Sequence, residues 1–213
     1  MATFLSLIDR LESDLGSRAG NLLDTEIKEA INQAIEDYEE DRYSFNEDTT
    51  DFPTVALQAE YDLDTVAPNV LTIDQGQYLL AGHLYRLVRQ TYEWYVEALV
   101  NQTAQTGPSN FYIVYGRKLF LYPQPDQITT VTLSGVHREL NVPLTADGDE
   151  NGWTNDARQM IRYAAAMDLY ANRLKDPVAA QAMGILFDRQ RKILLNKSER
   201  LRMKGQITPF RQF

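Results

Sequence analysis

Phe4, Ile8, Leu11 and Leu15 recur at spacings of four, three and four, which predicts a helix over 3–15 with Thr3 as its cap and Gly16 as its stop. Ile27, Ile31, Ala34 and Tyr38, with Ala30 and Ile35 beside them, predict a second helix over 24–42 opened by Asp24. Its other face is acidic, with Glu36, Asp37, Glu39, Glu40 and Asp41. The helical period fades over 43–68, where aromatics, acids, Pro53 and Pro68 mix. Tyr61–Leu63 and Val70–Ile73 read as short strands, Tyr78–Arg89 as strand around Gly82, and Thr91–Val100 as a short helix. Phe111–Tyr115 and Leu119–Tyr122 flank Gly116-Arg117-Lys118 and read as a hairpin, followed by a half-buried strand over 129–137.

Beyond Trp153 the helical period returns. Met160, Ala164, Met167, Ala171 and Leu174 form one stripe, capped by Thr154 or Asn155, and Ala164-Ala165-Ala166 allows close helix approach. Asp176-Pro177 ends that helix and opens another, whose apolar side carries Ala179, Ala182, Met183, Leu186 and Ile193 to about residue 203, with Gly205 as its stop. The expected fold is mainly α: a helical bundle built from residues 1–42 and 153–204, bracketing a small antiparallel β-rich insertion over 43–152. Residues 205–213 form an extended C-terminal arm.

Charge divides the chain unevenly. Residues 1–150 carry 9 Lys and Arg against 25 Asp and Glu, and residues 151–213 carry 12 against 5, so −16 faces +7 within a total of −9. Such asymmetry suits two surfaces with different partners, or opposite charges meeting within the fold or between copies of it. Apolar residues make up 44% of the chain, yet no run reaches the ~18–20 residues that span a bilayer. With no signal sequence evident at the start, the chain is read as soluble and made in a cytoplasm.

Candidate chemistry is sparse. The absence of cysteine removes disulfides, thiolate nucleophiles and Cys-based zinc sites. His83 and His137 are too few for a three-histidine zinc site and read as surface or edge residues. Phosphate-binding loops, dinucleotide fingerprints and nucleophile elbows are missing. Thirty acids make carboxylate pairs common by chance, and none is singled out as a catalytic pair. The acidic loop over 141–152 has only part of a calcium-loop pattern. The expectation is no catalytic residue, cofactor or metal, and no enzyme activity. Arg189, Arg191, Lys192, Lys197, Arg200, Arg202 and Lys204 lie on one predicted helix, which suits an acidic protein surface first and DNA second; a DNA-binding protein using helix 178–203 is the alternative function.

The order of these elements, with the hairpin around Tyr112, Gly116, Leu119, Leu121, Tyr122, Pro123 and Pro125 and the stretch Trp153, Ala164, Leu169, Tyr170, Leu174 and Asp176, resembles the head-to-tail adaptor (connector, or tail accessory factor) proteins of tailed bacteriophages. The resemblance implies a virion protein at the neck, made in the bacterial host. It implies a dodecameric ring of copies below the portal protein that extends the DNA channel. Tail tube, nozzle or fibre proteins attach beneath, and packaged DNA passes without sequence readout or membrane contact. It also implies a portal-binding arm in which Ile207, Pro209, Phe210, Arg211 and Phe213 make the contacts.

Overall fold

The computed structural model describes residues 2–101, 105–139 and 142–206. The chain divides into two compact units, one of residues 1–46 with 138–213 and one of residues 47–137.

The first unit is helical. Helix α1 (Phe4–Leu15) is capped by the Thr3 hydroxyl, which accepts from the Ser6 amide, and it buries Phe4, Leu7, Ile8, Leu11 and Leu15. A 3-10 turn (Gly16–Asn21) leads to α2 (Asp24–Tyr38), which buries Ile27, Ala30, Ile31, Ala34 and Ile35. Asp24 is the first helical residue rather than the cap, and the Glu26 carboxylate accepts from the Leu23 amide, 3.0 Å away. After the sheet unit come α5 (Gly152–Asn155), α6 (Arg158–Asp168), a π turn (Leu169–Arg173) and α7 (Pro177–Gln206). Asn151 caps α5, its side-chain oxygen accepting from the Trp153 and Thr154 amides, while α6 has Ala157 rather than Thr154 or Asn155 at its cap and no side-chain cap bond. The Asp176 carboxylate accepts from the Ala179 amide at 3.0 Å and opens α7. Helix α7 runs through Gly205, the predicted stop.

Helix α6 is the centre of this unit, packed by α7, α2 and α1. Ala164, Ala165 and Ala166 are buried, and a face without side-chain bulk is what lets three helices crowd one. At one end, Trp153 stands edge-on to the rings of Tyr43 and Phe45, with centroids 5.6 and 5.0 Å away.

The second unit overturns the expectation of a helical bundle with a small antiparallel subdomain. Its strands are β1 (Glu47–Pro53), β2 (Glu60–Asp62), β3 (Val70–Leu80), β4 (His83–Gln90), β5 (Phe111–Tyr115), β6 (Lys118–Tyr122) and β7 (Thr130–His137), joined by α3 (Leu63–Val66) and α4 (Tyr92–Asn101). They form one curled seven-stranded sheet in the order β1-β7-β3-β4-β5-β6-β2. The sheet is mixed: β4 and β5 pair in parallel, with Val88, Arg89 and Gln90 opposite Phe111, Tyr112 and Ile113. A parallel pair needs a crossover of a dozen residues or more, and α4 with its flanking loops supplies it.

Residues 78–89 are two strands rather than one. Ala81 (φ 49°) and Gly82 (φ 80°) make the two-residue turn between β3 and β4, a left-handed pair in which glycine costs no strain. Tyr112, Leu119 and Leu121 point into one core with Tyr78, Leu87, Val131 and Leu133, while Ile113, Phe120 and Tyr122 pack beneath α4. Strands β5 and β6 are therefore buried on both faces, which is why they read as continuous apolar runs.

Candidate interaction surfaces

Much of the charge asymmetry along the chain is settled inside the helical unit, which holds 17 Lys and Arg against 20 Asp and Glu. Arg162 Nε lies 2.7 Å from Asp14 Oδ2, Arg173 reaches Glu26 at 3.5 Å, and Arg18 pairs with Asp176. Arg138 holds Glu39 through a 2.9 Å Nε bond and a second contact. Arg191 grips Asp41 with both forks, at 3.0 and 2.8 Å, and stacks over Tyr38. The Tyr43 hydroxyl donates to the same Asp41 at 2.9 Å, and burial pushes its pKa well above the usual tyrosine range, helped by the Asp41 charge.

These contacts divide the predicted basic helix. Arg191 is committed to Asp41, Lys197 to Asp156 at 2.6 Å, and Arg202 donates to the Arg42 carbonyl at 3.0 Å. Arg189, Lys192 and Arg200 point outward and make no ion pair among the described residues. The Lys204 side chain lies outside the described residues, as do Ile207, Pro209, Phe210, Arg211 and Phe213.

The outward side of α7 is also apolar. Val178, Ile185, Ile193 and Met203 are 77, 65, 51 and 59% exposed, and a shallow groove beside them is lined by Ile193, Asn196, Lys197, Arg200 and Leu201. On α2, the outward side carries Glu29, Gln33 and Glu36, continued by Glu40 just past the helix, all exposed. A second groove there is lined mainly by acids and amides, Glu26, Glu29, Gln33, Glu36 and Asp168, with the cation Arg173 among them.

The acidic loop has structural work. The Asp149 carboxylate accepts from the Thr145 and Ala146 amides at 2.7 and 2.8 Å, which holds its pKa below the usual carboxylate range, and Asp147 pairs with Lys28 at 3.2 Å. His83 is exposed, at the start of β4. His137 is not on the surface: it is buried, its Nδ1 lies 3.4 Å from the Thr50 hydroxyl, and burial pulls its pKa down. Among the described residues no helix is long and apolar enough to cross a membrane.

A chain with helices at both ends, a mixed sheet between them and well-placed surface charge bears on identity only through its relatives, and here one finding decides it. The model of the SU10 adaptor protein family matches residues 2–211. The chain belongs to the SU10 adaptor protein family. The match spans both units, so the resemblance carried by the hairpin and the Trp153 stretch extends to nearly the whole chain. No curated protein matches the chain. As an SU10 adaptor it is a bacteriophage structural protein and a virion component, of a family that is not an enzyme family. The basic residues of α7 are legible in the sequence, but which of them are held within the fold depends on Asp41, Asp156 and Arg42, distant in sequence.

Proposed function

We propose that the protein is a head-to-tail adaptor. It assembles as a ring below the portal at the neck of the virion, with the portal's twelve-fold symmetry. The ring extends the DNA channel and offers a platform to tail tube, nozzle or fibre proteins. The helical unit is the ring's core and the sheet unit is an insertion carried by it. The segment after Gln206 is the portal-docking arm, with Ile207, Pro209, Phe210 and Phe213 as apolar anchors and Arg211 as the charged contact, residue types suited to interface hot spots. The protein acts by binding and catalyses nothing.

The family match over residues 2–211 carries this reading. It is supported by an overall charge of −9, which lets DNA slide past without adhering. Light scattering of the purified protein with its portal ring tests it. The expected result is a stoichiometric complex that is lost when the chain is stopped after Gln206. A protein that ignores the portal but binds duplex DNA with a steep salt dependence overturns it and promotes Arg189, Lys192 and Arg200 to the functional site.

A further inference from the structure

The outward stripes of α7 and α2 differ in chemistry and match in spacing. Arg189, Lys192, Asn196 and Arg200 follow one another along α7 with a net charge of +3, with the exposed apolar Ile193 among them and Ile185 and Met203 beyond either end. Glu29, Gln33, Glu36 and Glu40 follow one another along α2 and its end with a net charge of −3. Arg189 and Arg200 are eleven residues apart, as are Glu29 and Glu40, which is about 16 Å at 1.5 Å per residue.

Laid antiparallel, the two stripes bring Arg200 to Glu29, Asn196 to Gln33, Lys192 to Glu36 and Arg189 to Glu40, each within about one residue of rise. Laid parallel, Glu36 meets Asn196 and Lys192 meets Asn32, so only two of the three ion pairs form. The carboxylate stems and the Gln33 methylenes cover Ile193, which is otherwise left in water. Within one chain this pairing is unavailable, because α2 and α7 both pack on α6 and both stripes lie on the exposed sides opposite their buried residues.

We infer that the two stripes are the two halves of one interface between copies: the apolar-cationic face of α7 on one protomer seats antiparallel on the acidic face of α2 on the next. The interface is heterologous, one surface meeting a different one, so each copy leaves a free stripe at either end and the association repeats until it closes. This rests on the ring reading above and names its contact. It also accounts for three cations and three carboxylates that make no ion pair among the described residues of the single chain.

The chain's lack of cysteine gives a clean test. The full-length variant Gln33→Cys with Asn196→Cys alters no charge and touches only exposed positions. It is treated with a short bismaleimide cross-linker, alone and mixed with the portal ring, and run on a denaturing gel. Portal binding is scored separately by light scattering. The expected result is a ladder at multiples of 24.4 kDa that neither single-cysteine protein gives. Adding Arg189→Glu and Arg200→Glu abolishes the ladder, and adding Glu29→Lys and Glu40→Lys to that variant restores it. Portal binding without a ladder overturns the interface and leaves the adaptor function standing. A ladder without portal binding supports the interface and removes the portal. With neither, the interface is overturned as well.

Discussion

Gly135 is the position where one added carbon does most damage. It sits in β7 with Asp48 of β1 on one side and Ile73 of β3 on the other, where the β3 register shifts. A Cβ here collides with the Thr72 carbonyl oxygen, lies 2.9 Å from the Thr72 carbonyl carbon, and is 3.2 Å from Ile73 Cα. All three are backbone atoms, so no side chain can swing away, and β3 or β7 must move. Overpacking of this kind costs about 1–3 kcal/mol. Displacing Thr72 and Ile73 also loosens about two ladder hydrogen bonds at about 1 kcal/mol each. Gly135→Ala is therefore expected to destabilise the sheet unit by about 3–5 kcal/mol, moving its urea midpoint down by about 2 M. The two tryptophans make the assay specific. Trp94 packs against Phe111 and Tyr122 in the sheet unit, and Trp153 is buried in the helical unit. Versions keeping one tryptophan each, with Phe at the other position, report the units separately. The Trp94 transition should shift and the Trp153 transition should hold. A Trp94 midpoint that moves by less than about 0.5 kcal/mol-equivalent would refute the claim that β7 and β3 touch through bare backbone at this point.

Two other outcomes are expected. The ordinary histidine pKa is 6.5, and burial lowers that of His137 in the folded sheet unit. The unfolded chain then binds the proton more readily, so stability is full above about pH 6.5 and falls as the pH drops below it; His137→Gln should flatten that part of the Trp94 stability profile, and an unchanged slope would place the titrating group elsewhere. Arg191→Ala removes the bidentate hold on Asp41; because both side chains are partly exposed, the loss should be about 1 kcal/mol in the Trp153 transition, and a loss above about 3 kcal/mol would show that the pair is more deeply desolvated than its exposure implies.

Where the sequence was readable, a local rule was strong. The stripes of α1 and α2 follow the helical period, that of α6 does so through Met160 and Ala164 although Ala171 beyond it is exposed, and the β5–β6 hairpin announces itself by two apolar runs around Gly116. The misses have physical causes. Strand β1 reads Glu-Asp-Thr-Thr-Asp-Phe-Pro, and only Phe52 is buried, so an edge strand with charges and a proline looks like a loop. The size and mixed pairing of the sheet depend on which distant strands meet, and no local pattern encodes the parallel match of Val88 with Phe111. Gly205 failed as a stop because glycine's cost inside a helix is about 1 kcal/mol, which the rest of a 30-residue helix absorbs. The burial of His137 follows from the sheet closing over it between Thr50 and Asp48, a tertiary event. Of the candidate surfaces, the basic residues of α7 are visible in the sequence, but the apolar exposure of Ile185 and Ile193 is not, since helical spacing alone groups Ile193 with the apolar side of the helix.

If, as proposed, the protein joins a filled head to its tail, its loss leaves heads without tails. Electron microscopy of particles from an infection in which its gene is silenced tests this most directly. The expected particles are DNA-filled capsids without tails, converted to tailed particles when the purified protein and tails are added. Tailed, infectious particles formed in its absence would contradict it.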